Sequence, residues 1–128
     1  NQMGAVDPKE RAKFMPMTDT ATYPNAMKPA WNNDGLSQGT FGSTWLTGKQ
    51  WKSWDGRLIV GLTGIGVHGT PVGNRLDVLD IAADGSSATR TTANLPMPAG
   101  RFRSVVQGPD GNLYTALDEG SILMLKPN

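Results

Sequence analysis

The chain contains no cysteine, which removes disulfides, thiolate metal sites and thiol nucleophiles at once. That absence is compatible with an oxidising compartment without requiring one. Charge is scarce: Lys, Arg, Asp and Glu make up 18% of the 128 residues and balance to a formal net charge of +1. The basic residues are scattered, which argues against a nucleic-acid partner or an acidic membrane surface, since both are held by clustered Lys and Arg. No apolar run approaches the roughly 20 residues of a membrane-spanning helix. There is a single histidine, His68, with no residue at recognisable spacing to orient it as a base. No cationic, apolar leader precedes Asn1, and the first long apolar segment comes after residue 40, so the sequence reads as a processed or fragmentary chain.

What the chain does have is turns. Its 16 Gly and 9 Pro, with few strong helix formers, point to an all-β protein rich in hairpins. Trp54-Asp55-Gly56-Arg57-Leu58-Ile59-Val60-Gly61-Leu62 returns fifty-five residues later as Pro109-Asp110-Gly111-Asn112-Leu113-Tyr114-Thr115-Ala116-Leu117. A period of that size, with an Asp-Gly turn opening a short strand each time, marks stacked four-stranded sheets. The expected fold is the last two blades of a β-propeller, preceded by an irregular segment.

Residues 1–35 are broken by Pro8, Pro16, Pro24 and Pro29, and the one helix predicted there spans 7–14, with Asp7 as N-cap and Pro8 at its first position. From residue 36 to 128, strands are predicted at 41–46, 57–63, 76–82 and 88–93 for one blade. A further three, at 101–107, 112–117 and 121–125, belong to the next. Asp84-Gly85 reads as a hairpin turn. The second blade is one strand short, and a propeller closes by taking that strand from the other end of its polypeptide. Two unclosed blades leave apolar faces wet, so the remaining N-terminal blades, as a separate chain, are the expected partner and this chain alone is not expected to be active.

Several motifs have plain structural readings. Gly64-Ile65-Gly66-Val67-His68-Gly69 matches the dinucleotide-binding spacing, but Pro71 and the alternating stretch from Leu76 deny it the helix that motif requires. It reads as a loop between two strands. The scattered Met3, Met15, Met17 and Met27 read as packing rather than as a soft-metal site. Asp110, Asp118 and Glu119 fall in tight turns, where Asp commonly bonds its own backbone, and their spacing is not that of a calcium loop.

The stretch Arg101-Phe102-Arg103-Ser104-Val105-Val106-Gln107-Gly108-Pro109-Asp110-Gly111-Asn112-Leu113-Tyr114 carries more chemistry. In an extended strand Arg101 and Arg103 share one face, with Phe102 and Val105 on or near the other. Two guanidinium groups about 7 Å apart make a fork for a rigid polyanion. On composition alone the plainer reading is preferred, a pair of exposed arginines bonding neighbouring carbonyls.

Residues 101–120, RFRSVVQGPDGNLYTALDEG, together with Gly42-Ser43-Thr44-Trp45-Leu46-Thr47-Gly48 and the Trp54 to Leu62 stretch, resemble the closing blades of the soluble quinoprotein glucose and sorbosone dehydrogenase family. The resemblance covers roughly residues 35 to 128. It implies a six-bladed propeller carrying pyrroloquinoline quinone (PQQ), whose carboxylates would be held by Arg101 and Arg103, with Trp31 as the approximate counterpart of an aromatic contact. It also implies calcium beside the cofactor and a histidine base, both on a part of the protein outside this chain. The family's lysine that contacts the quinone falls close to Gly64.

The activity so implied is oxidation of a sugar hydroxyl by hydride transfer to the quinone, with an external electron acceptor, in a periplasmic or secreted enzyme. Two alternatives stand beside it. One is a binding or scaffold propeller without the quinone; the other is a lactonase-like hydrolase dependent on calcium.

Overall fold

The computed structural model describes residues 21–32, 38–65, 72–93 and 100–128. The helix expected at 7–14, and His68, lie outside the described residues. The protein is nearly all β. Strands β1 (Thr40–Trp45), β2 (Leu58–Ile65), β3 (Val72–Ile81) and β4 (Ala88–Thr92) form an antiparallel sheet in sequential order. Strands β5 (Phe102–Gln107), β6 (Leu113–Leu117) and β7 (Ile122–Leu125) form a second such sheet. Two consecutive up-and-down sheets are the arrangement expected of partial propeller blades.

Two strands run further than their sequence patterns indicate, β2 ending at Ile65 rather than at residue 63 and β3 starting early. Strand β3 starts at Val72 rather than at residue 76, because 72–75 continue the ladder along the end of β2, with Ile65 paired to Val72 and Leu62 to Arg75. That antiparallel hairpin also disposes of the dinucleotide motif, which needs a helix and a parallel strand after β2. The repeated Asp-Gly turns are alike in backbone: Gly56 and Gly111 both take φ +79°, a left-handed conformation that glycine adopts without steric cost.

The core lies between the sheets. Ile59, Leu76 and Val78 on one side meet Phe102, Val105 and Leu113 on the other, with Leu46 and Trp51 filling one end. Phe102 and Val105 are three apart, yet both are buried. A bulge between Phe102 and Ser104 allows this, leaving Arg103 and Ser104 both exposed. The backbone of β5 lies directly on Gly42, where an added Cβ would come within 2.8 Å of the Ser104 Cα and the Val105 N.

Hydrogen bonds pin the two sheets at the end where β5 finishes. The Gln107 amide accepts from the Thr47 N–H and hydroxyl, each at 3.0 Å, and donates to the Thr47 carbonyl at 2.7 Å and the Gly111 carbonyl at 3.1 Å. Trp51, in the 3-10 turn Lys49–Trp54, donates its indole N–H to the same Gly111 carbonyl at 2.9 Å. On the outer face of the second sheet Val106, Ile122 and Met124 are exposed, and among the described residues β7 pairs with β6 alone.

Candidate functional site

Arg101 precedes β5 and Arg103 sits at its bulge, so both guanidinium groups emerge where the chain enters the second sheet. A single carboxylate gathers them. Asp118 follows β6 in the turn that leads to β7, closed by the Gly120 N–H on the Leu117 carbonyl at 3.0 Å. Its backbone N–H donates to the Arg101 carbonyl at 3.1 Å. Its Oδ2 accepts from Arg101 Nε at 2.5 Å and from Arg103 Nη2 at 3.2 Å, and its Oδ1 accepts from Arg103 Nε. Arg101 Nη1 also donates to the Thr63 carbonyl of β2 at 3.1 Å, and the Arg103 guanidinium carbon lies 4.6 Å from the centroid of the Phe41 ring, a cation–π contact.

The side chains of Arg101, Arg103 and Asp118 are 30%, 42% and 24% exposed, so the cluster is partly open to solvent. Each guanidinium has five N–H donors, and among the described residues neither spends more than two of its nitrogens, leaving Nη2 of Arg101 and Nη1 of Arg103 for a ligand. Two cations and one carboxylate leave the site a surplus of one positive charge. The arrangement suits an anion with carboxylate or phosphate geometry.

The model for glucose/sorbosone dehydrogenase matches residues 9–125 of the chain. The chain belongs to the glucose/sorbosone dehydrogenase family. No curated protein and no solved structure matches it. Gly64 is the residue next to Thr63, whose carbonyl anchors Arg101, so the position close to which family members were expected to place a lysine adjoins the arginine pair. Gly64 takes φ +76°, a conformation that a lysine would adopt only with strain.

Trp31 is elsewhere. The carbonyl of its neighbour Ala30 accepts from the Ala88 N–H at the start of β4, opposite Ile81 at the end of β3. Thr63 pairs with Asn74 near the other end of β3, seven residues back, which is roughly 23 Å along the strand. The structure therefore does not bring Trp31 to the arginines. A groove of about 380 Å³ between Trp51 to Trp54 and Met124 to Asn128 also lies at the far end. Among the described residues no group of three or more His, Cys, Asp or Glu is placed to hold a metal ion, and no helix is long and apolar enough to cross a membrane.

The turn carboxylates divide. Asp110 is a turn residue, accepting from the Asn112 N–H at 3.1 Å, the Asn112 amide at 2.8 Å and the Tyr114 hydroxyl at 2.7 Å. Asp118 departs from the expected pattern and spends its side chain on the arginines across the hairpin. Sequence reasoning missed that pairing because 17 residues separate Arg101 from Asp118. The available signal was an acid at the end of the strand paired with the arginine strand.

Both carboxyls are held below the ordinary carboxylate range, Asp118 by hydrogen bonds from Arg103 and then Arg101, Asp110 by Tyr114 and then Asn112. A lowered carboxyl pKa stabilises the fold fully above the unfolded value of about 3.9, and the contribution is lost as pH falls through the folded value. Unfolding midpoints should therefore fall with pH from about 5 downward, and Asp118→Asn should flatten that slope. An unchanged acid limb in the variant would count against Asp118 as a contributor.

Proposed function

We propose that this chain is the C-terminal part of a PQQ-dependent aldose sugar dehydrogenase and supplies the carboxylate clamps of the cofactor and part of the pocket rim. The single observation that carries this is the gathered pair of Arg101 and Arg103, with donors to spare and a surplus positive charge, in a member of the glucose/sorbosone dehydrogenase family. The donor set fits a flat tricarboxylate, because directed guanidinium N–H groups bind carboxylates and leave the rings uncovered. The chemistry that the quinone would supply when bound is that of a hydride acceptor for the sugar carbon. Arg101 and Arg103 hold and orient its carboxylates, and Asp118, Thr63 and Phe41 keep the two side chains in place.

On the same reading the histidine base and the calcium ligands would come from earlier blades, and an external electron acceptor would be the partner of the cofactor. The exposed Val106, Ile122 and Met124 and the open edge of β7 meet the remaining blades of the propeller. A periplasmic or secreted location goes with this chemistry.

A second reading, a propeller that binds without the quinone, is favoured by Gly64, whose left-handed backbone is built for glycine where the family's lysine was expected. Titrating PQQ into the assembled apoprotein and its variants separates the two. Arg101→Ala and Arg103→Ala should each weaken binding by roughly ten- to a hundredfold, since a hydrogen bond to a charged group contributes about 1.5–3 kcal/mol. Lysine replacements should restore only part of it. Equal PQQ affinity in the parent and both alanine variants would remove the arginines from the cofactor site.

A further inference from the structure

Two arginines two residues apart repel each other and carry large rotamer freedom, so a usable pair has to be held by something. In this protein the two guanidinium groups converge on the same carboxylate. Asp118 takes the Nε of both arginines and the Nη2 of Arg103, and its own backbone N–H is tied to the Arg101 carbonyl. The carboxylate is thus fixed to the strand it organises, and it fills the Nε side of both arginines. Among the described residues, Nη2 of Arg101 and Nη1 of Arg103 are left to face a ligand.

From this geometry, and resting on the reading of Arg101 and Arg103 as the cofactor clamp, we infer that Asp118 is the positioning residue of that clamp. It holds both guanidinium groups in the pose that receives the quinone carboxylates, at the cost of one unit of attractive charge.

That inference makes a prediction whose sign is opposite to simple electrostatics. Removing a carboxylate beside an anion site raises the local positive charge and, by Coulomb attraction alone, tightens a tricarboxylate. Removing a positioning group frees two long side chains, which binding must then order again. The three side chains are 24–42% exposed, so at physiological ionic strength the extra attraction is screened over about 8 Å. Lost order then dominates. At low salt the attraction recovers.

The test is a PQQ titration of the assembled apoprotein, followed by cofactor absorbance and tryptophan fluorescence, at low and at physiological salt. Asp118→Ala should bind PQQ at least about tenfold more weakly at physiological salt and show a steeper loss of affinity with salt than the parent. Asp118→Asn, which keeps the shape of the turn and one acceptor oxygen, should fall between them. Should the alanine variant fail to fold by circular dichroism, the asparagine variant decides. Affinity equal to or tighter than the parent's at physiological salt in the folded Asp118 variants, with Arg101→Ala and Arg103→Ala both weakened, overturns the positioning role and leaves the clamp standing. Unchanged affinity in the arginine variants themselves overturns the clamp, and the inference with it.

Discussion

Trp51→Ala is expected to destabilise the protein by about 3–5 kcal/mol, the range for deleting a large buried aromatic side chain. Trp51 is buried at the end of the core and stacks on Trp54 with ring centroids 6.3 Å apart and planes within 3° of parallel. Its indole N–H donates to the Gly111 carbonyl in the turn between β5 and β6. Alanine would leave a void where the sheets meet and remove one of the two donors on that carbonyl. Phenylalanine should recover most of the loss, since it keeps an aromatic face and forfeits mainly one hydrogen bond of about 1 kcal/mol. Denaturant midpoints of the three proteins decide. An alanine variant within 1 kcal/mol of the parent would show that the contact between the sheets does not depend on this side chain.

Asp77→Ala should cost a similar amount for a different reason. The Asp77 side chain is 0% exposed in the middle of β3, and Arg75 meets it through two hydrogen bonds, Nε to Oδ1 at 2.7 Å and Nη2 to Oδ2 at 3.0 Å. Arg90 of β4 approaches Oδ2 at 3.7 Å. Alanine leaves the Arg75 cation, itself largely buried, facing a low-dielectric wall, and breaking a buried pair from one side typically costs about 3–5 kcal/mol. Replacing both partners with apolar residues, as in Arg75→Met with Asp77→Leu, should recover much of that, because neither charge then needs solvation. Were the double variant as unstable as the single one, the cost would lie in the carboxylate's other contacts rather than in a stranded charge.

Asp77 also shows where strand patterning stops being informative. The alternation Leu76-Asp77-Val78-Leu79 reads as a strand with one wet face, yet all four residues are buried. Period-two patterning locates strands, and all seven strands fall close to their expected places, because turns at Asp-Gly and the repeat spacing bound them tightly. It does not show what covers the second face, which depends on residues distant in sequence. The same limit applies at the arginines. That Arg101 and Arg103 belong together was legible from their spacing, but the bulge that lets Phe102 and Val105 both point inward was not. Nor was the choice of Asp118, rather than its neighbour Glu119, as their partner. Gln107 is a further case: a lone amide at a strand end carries no pattern, and only folding reveals that three of its hydrogen bonds, all to Thr47, join the sheets.

The two ends of the contact between the sheets are built from different materials. Where β5 ends, neutral groups do the joining: the Gln107 amide, the Thr47 backbone and the Trp51 indole. Where β5 begins, ionised groups dominate, with Arg101 reaching Thr63 and held by Asp118. Salt and acid act on the second kind and leave the first nearly untouched. The contact between the sheets is therefore sensitive to ionic conditions where β5 begins and indifferent to them where it ends, although apolar packing of Phe102 beside Gly61 runs beneath both.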